Sequence, residues 1–159
     1  MTSSIRGGGC FLNGKRLNSN EAQDDKIHKI EGIKLNEALI NVGFPAVKDS
    51  TLRASSRAVA ALATKVRGLR MIASASQVMA WVAQGKLSAY ISWDLNAWDV
   101  AAGMVIVEES GGKVSDFDGN RADVSSRDLI VTCNEGCENS FGLKDEIISI
   151  LKENDCFEY

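Results

Sequence analysis

Hydrophobic and polar positions along the chain switch between a period of two and a period near 3.6, and each switch marks an element. Two short runs flank Asn13-Gly14, namely Cys10-Phe11-Leu12 and Lys15-Arg16-Leu17. Asn-Gly between such runs predicts a two-stranded hairpin over 9–18. Glu37-Ala38-Leu39-Ile40-Asn41-Val42 predicts a strand that ends at Gly43-Phe44-Pro45. From Ser50 to Val66 the period is helical, with Leu52, Val59, Leu62 and Ala63 on one stripe. Asp49 or Ser50 can cap this helix and Gly68 stops it.

The pattern then repeats. Leu69 to Ile72 predicts a short strand, and Ser74 or Ser76 can cap a helix carrying Val78, Met79, Trp81 and Val82. Gly85 suits the residue just past its end. Leu87 to Ser92 predicts another strand, and Trp98 to Ser110 a helix with Ala101, Ala102, Val105 and Ile106 on a wide apolar face, ended by Gly111-Gly112. Lys113 to Phe117 predicts a strand turning at Asp118-Gly119, Leu129 to Thr132 a buried strand, and 139–152 a closing amphipathic helix. Strands alternating with helices of this length indicate a layered α/β fold, read here as a single domain over 1–159.

Composition narrows the class. The 159 residues are 45% hydrophobic and 25% charged, with one proline and a net charge of −3. That share of apolar residues excludes disorder, and the absence of a basic stripe excludes the electrostatic footprint of a nucleic-acid binder. No apolar run approaches the ~20 residues that span a bilayer. The opening Met1-Thr2-Ser3-Ser4-Ile5-Arg6 lacks the apolar core of a secretory signal. The expectation is a soluble protein of the cytoplasm, or of an organelle. Cys10, Cys133, Cys137 and Cys156 show no C-x-x-C spacing and read as free thiols. The sole histidine, His28, lies in a charged stretch and offers no catalytic dyad.

Three constellations bear on chemistry. Asp116-Phe117-Asp118-Gly119-Asn120 has the acidic spacing of a calcium loop, but Arg121 and Arg127 occupy the positions that require Gly and Glu, so a hairpin turn is expected. Ala73-Ser74-Ala75-Ser76 joins a strand to a helix. Small residues there admit an anion to the backbone N–H groups and positive end of the helix, or serve simply as an N-cap. Asp99 opens a helix after a strand, where the dipole favours its charge and where it can act as a cap or hold Mg²⁺.

The stretch from Trp98-Asp99-Val100-Ala101-Ala102-Gly103 through the aliphatic run to Gly111-Gly112 resembles the C-terminal signature of the inositol monophosphatase family. Phe11-Leu12-Asn13-Gly14-Lys15 resembles the family's hairpin, Gly43-Phe44-Pro45 its strand end, and Leu69 through Ser92 its strand-helix-strand unit. The resemblance covers essentially the whole chain. It implies the layered αβαβα sugar-phosphatase fold, of which this chain is the C-terminal half, a mixed sheet flanked by helices.

The resemblance also implies Mg²⁺-dependent hydrolysis of phosphate monoesters, with inositol phosphates or related sugar or nucleotide phosphates as substrates. Asp99 matches a metal ligand that also borders the substrate. Ala73, Ser74 and Ala75 match the segment that touches substrate through backbone and hydroxyl. Ser92 falls where inositol-specific members carry a glutamate that binds ring hydroxyls, which points to a different sugar or nucleotide phosphate. Most family metal ligands lie in an N-terminal glutamate and an Asp-Pro-x-Asp-Gly-Thr motif, which does not occur here. No catalytic residue is therefore assigned within this chain. The expectation is a substrate-side half, inactive alone, that pairs as a homodimer or with the other half; the alternative is a non-catalytic truncated form that binds a phosphate ligand or a family subunit.

Overall fold

The computed structural model describes residues 1–17, 33–45, 50–133 and 142–157. His28, Cys137, Asp49 and the first residues of the expected 139–152 helix lie outside them. Two sheets form. The smaller has the order β1-β2-β3, from β1 (Thr2–Ile5), β2 (Gly9–Leu12) and β3 (Lys15–Arg16). β2 and β3 are the expected hairpin. Asn13 and Gly14 both take positive φ, 52° and 82°, as the Asn-Gly turn requires. β1 is a strand the pattern did not announce. Its Thr-Ser-Ser-Ile sequence carries one apolar residue, and it is held by antiparallel pairing to β2.

The larger sheet has five strands in the order β5-β4-β6-β8-β7. Here β4 is Leu39–Val42, β5 Gly68–Arg70, β6 Ala89–Ser92, β7 Lys113–Ser115 and β8 Leu129–Thr132. β5, β4 and β6 run parallel, while β8 is antiparallel to both β6 and β7. Both faces of this sheet are covered, which is why β6 and β8 are buried at every residue. On one face Ile40, Val42, Ile91 and Ile130 meet α1 (Ser50–Ala63) and α4 (Leu143–Glu153). On the other, Tyr90, Leu129 and Val131 meet α2 (Ala75–Ala83) and α3 (Ala97–Glu109). The smaller sheet lies on the far side of α3, fastened by the Glu109 carboxylate, which accepts the Gly7 and Gly9 N–H groups at 2.6 and 2.8 Å. The described residues thus build helix, sheet, helix and sheet layers.

Two helices bury a different stripe from the one expected. In α1 the buried residues are Thr51, Ala54, Ser55, Ala58 and Leu62, while Leu52 and Val59 are half-buried and Ala63 is exposed. Small Ala and Ser side chains let the helix close against the sheet, so bulk is the wrong guide here. In α3 the buried set is Val100, Gly103, Met104 and Val107, leaving Ala101 and Ala102 exposed. Gly103 decides this. A Cβ there would stand 2.6 Å from the Met79 sulfur, so α3 presses its glycine face onto α2. α3 is apolar along most of its length, as suits a helix with α2 on one side and the smaller sheet on another. Yet Trp98 remains 81% exposed.

The acidic stretch at 116–120 is a turn, as expected. Asp116 Oδ1 accepts the N–H groups of Asp118 and Asn120, and Gly119 has φ 89°. Cys10, Cys133 and Cys156 are buried, and burial raises the pKa of the Cys10 and Cys156 thiols. No described helix is long and apolar enough to cross a membrane.

Candidate functional site

The residues matched to chemistry gather at the carboxyl ends of the three parallel strands. That edge of an open α/β sheet is where ligands bind in such folds. β4 delivers Gly43, β5 leads into Ala73, Ser74 and Ala75, and β6 ends on Ser92, from which the chain passes to Asp99 at the start of α3.

Ser74 sits at the N-cap of α2 in extended conformation, and its side chain makes no capping hydrogen bond. Its hydroxyl is exposed, as is Ala73, and Ala75 is half-buried. A serine that capped the helix would have spent its hydroxyl on the first-turn N–H groups. This one leaves them, and itself, open to a ligand, the arrangement that suits a phosphate oxygen at a helix N-terminus.

What holds this segment is Asn41, fully buried in β4. Its Oδ1 accepts the Ile72 N–H at 2.9 Å and its Nδ2 donates to the Ile72 carbonyl at 3.4 Å. The side chain thereby continues the β4–β5 ladder past Arg70 and sets the direction in which Ala73 and Ser74 leave the sheet.

Ser92 is nearly closed off, 3% exposed, and pairs by hydrogen bond with the Tyr90 phenol two residues back on the same strand face. Gly43 packs directly on this pair. A Cβ at 43 would lie 2.3 Å from Ser92 Oγ and 3.1 Å from the Tyr90 oxygen. Burial pushes the Tyr90 pKa up, the Ser92 bond opposes this, and the Asp99 charge adds to the rise, so all three side chains share one neighbourhood.

Asp99 is half-buried in the first turn of α3, and its Oδ2 accepts the Asn96 N–H at 3.1 Å. Its Oδ1 has no hydrogen-bond partner among the described residues. One carboxylate oxygen fixed and the other open is a fitting donor for a hard cation that prefers oxygen. It is a single donor, however. Among the described residues no group of three His, Cys, Asp or Glu side chains is placed to hold a metal ion.

Two surface cavities of about 290 and 410 Å³ lie on either side of the Glu108–Arg121 ion pair, and neither is lined by Ser74, Ser92 or Asp99. Asn41, Tyr90 and Gly43 are the site residues that residue-by-residue reasoning passes over. A lone amide inside the apolar run Leu39–Val42 is the available signal for Asn41, and the period of two from Ser92 is the signal for Tyr90.

The mixed sheet flanked by helices on both faces, with the small sheet beyond α3, defines a layered class of α/β fold. Within that class the chain belongs to the inositol monophosphatase family, whose sequence model matches residues 1–153. It is 29% identical over 148 residues to the fructose-1,6-bisphosphatase/inositol-1-monophosphatase of Thermotoga maritima, covering 92% of this chain and 48% of that one. It is 33% identical over 139 residues to the inositol-1-monophosphatase of Mesorhizobium japonicum, covering 85% of this chain and 47% of that one. Among solved structures, the Thermotoga maritima IMPase superposes with a TM-score of 0.74 at 25% identity, covering 97% of this chain and 52% of its own. The chain therefore spans about half the length of the relatives it matches, and these three carry the names of phosphatases of this family.

Proposed function

We propose that this chain is the substrate-side half of a Mg²⁺-dependent phosphomonoesterase acting on inositol phosphates or related sugar or nucleotide phosphates. The observation that carries the reading is the convergence of an uncapped Ser74, the Ser92–Tyr90 pair and a half-open Asp99 at the ends of β5, β6 and the start of α3. Magnesium, when bound, supplies charge for the transferring phosphoryl group and lowers the pKa of an attacking water.

The chain's own residues bind and orient. Ser74 and the first-turn N–H groups of α2 receive phosphate oxygens, with Ala73 and Ala75 keeping the approach free of bulk. Asp99 offers its open oxygen as one metal ligand. The buried Ser92–Tyr90 pair forms an uncharged floor beneath the ester end. An uncharged floor suits a sugar or nucleotide phosphate better than a ring whose hydroxyls are read by a carboxylate. The remaining carboxylates come from polypeptide outside these residues, so the 159-residue chain by itself is inactive.

The test supplies the complementing half of a family phosphatase, joined or in trans, and measures Mg²⁺-dependent phosphate release from sugar, inositol and nucleotide phosphates. Release abolished by Asp99→Asn supports the reading. Release indifferent to that change contradicts it. The second reading, a non-catalytic protein that binds a phosphate ligand or a family subunit, is favoured by the lack of a metal-holding cluster among the described residues. It predicts no turnover under any complementation and ligand binding independent of Mg²⁺.

A further inference from the structure

The smaller of the two surface cavities, about 290 Å³, opens beside β7 at one margin of the five-stranded sheet. β5 and its exit toward Ser74 lie at the opposite margin. Three cations line the cavity, Lys113 from β7, Arg121 from the segment after the 116–120 turn and Lys144 from the first turn of α4. Against them stands one carboxylate, Glu108 near the end of α3. That carboxylate is already engaged. Its Oε1 accepts Arg121 Nε at 2.9 Å and Nη2 at 2.8 Å, and its Oε2 stands 3.8 Å from the Arg6 guanidinium. Lys144 Nζ donates to the Gly119 carbonyl at 3.0 Å, which orients the ammonium without neutralising it. Asp145 approaches Lys144 to 3.6 Å but does not line the cavity. Lys113 has no ion-pair partner among the described residues. Val114, 4% exposed, supplies an apolar wall.

We propose that this cavity binds a small dianion, carboxylate or phosphate, through Lys113, Arg121 and Lys144, at a site separate from Ser74. The lining carries an excess of two positive charges, although the chain as a whole carries −3. Like charges around one concave surface repel each other and concentrate anions there, and a bound dianion relieves the repulsion. Arg121 spends Nε and Nη2 on Glu108, and its Nη1 has no partner among the described residues. A planar guanidinium held in place this way matches the paired oxygens of a carboxylate or phosphate. The Lys144 side chain is only 21% accessible, and a partly desolvated cation attracts an anion more strongly than a solvated one. The volume sits at the lower end of small-molecule sites, which run roughly from 300 to 1,000 Å³, and so favours a compact ligand.

The test titrates the 159-residue chain with succinate and, separately, with inorganic phosphate, at slightly alkaline pH and constant ionic strength, read by amide chemical shifts. Saturable shifts centred on Lys113, Gly119, Arg121 and Lys144 are expected from at least one probe, and comparing the two shows which oxygen chemistry the site prefers. Lys113→Gln, at a side chain with no ion pair to lose, and Lys144→Gln should each weaken binding severalfold, with the melting temperature nearly unchanged. Glu108→Gln keeps an acceptor for Arg121 but removes the cavity's carboxylate, so it should tighten binding, a sign that a merely structural role would not give. Shifts that grow linearly with both probes, that centre on Ser74 alone, or that ignore all three substitutions overturn the proposal.

Discussion

Asn41 and Ile72 are joined twice, by the side-chain Oδ1 on the Ile72 N–H at 2.9 Å and by Nδ2 on its carbonyl at 3.4 Å. A buried side chain here does the work of a strand ladder and fixes the exit toward Ser74. Asn41→Leu keeps the size and removes both bonds, leaving the Ile72 N–H unsatisfied. The expected loss is about 1–3 kcal/mol of unfolding free energy, measured by urea denaturation, with faster amide exchange at Ile72. An unchanged midpoint would mean that water replaces the amide without cost.

Gly43 is a space requirement rather than a turn residue. Gly43→Ala would place a methyl 2.3 Å from Ser92 Oγ and 2.9 Å from Ser92 Cβ. Overpacking of this kind costs about 1–3 kcal/mol. Adding Ser92→Gly should recover part of that loss, because it removes both atoms in collision; stabilities that simply add across the double mutant would contradict the contact.

Glu109 is one contributor to the acid limb of stability. The N–H groups of Gly7 and Gly9, helped by the charges of Arg6 and Arg16, hold its carboxyl below the usual glutamate range. A carboxyl whose pKa is lowered on folding contributes stability that is present above its unfolded pKa and lost as pH falls through the folded value. Glu109→Gln should flatten that part of the stability profile, and the loosening should appear first as amide exchange in β1 and β2. A profile identical to the parent's would show that the contact contributes nothing.

Exposed apolar side chains predict association. Met1, Ile5, Met71, Trp98 and Val124 are each more than half exposed, the largest values being 90% at Met1 and 81% at Trp98. Where side chains of this kind adjoin, they mark a surface that another polypeptide covers. Size-exclusion chromatography with light scattering should find a dimer or larger species, reduced by Trp98→Lys; a compact monomer at high concentration would contradict this.

Much of the fold is legible in the sequence because each strong signal has one physical meaning. Asn13-Gly14 can hardly be anything but a hairpin turn, and Leu129–Thr132 is apolar enough to be a strand covered on both faces. What escapes is tertiary. β1 is held by pairing and not by its own pattern, so Thr2–Ile5 carries no signal. The buried faces of α1 and α3 follow close approach, through Ala54, Ala58 and Gly103, where a rule based on bulk selects Leu52 and Val105. In the site, Asp99 and Ser74 are visible as a helix start and a strand-helix junction. The strand beside β6 is not, because sequence distance hides that β8 is its neighbour.

The most direct test of the central claim is phosphate release by the purified 159-residue chain alone, with Mg²⁺, on inositol, sugar and nucleotide phosphates, alongside Asp99→Asn. The account predicts none, because Asp99 is one donor without the rest of a set among the described residues. Mg²⁺-dependent release that disappears in Asp99→Asn would contradict it, showing that this chain, alone or as a dimer, assembles a working metal site.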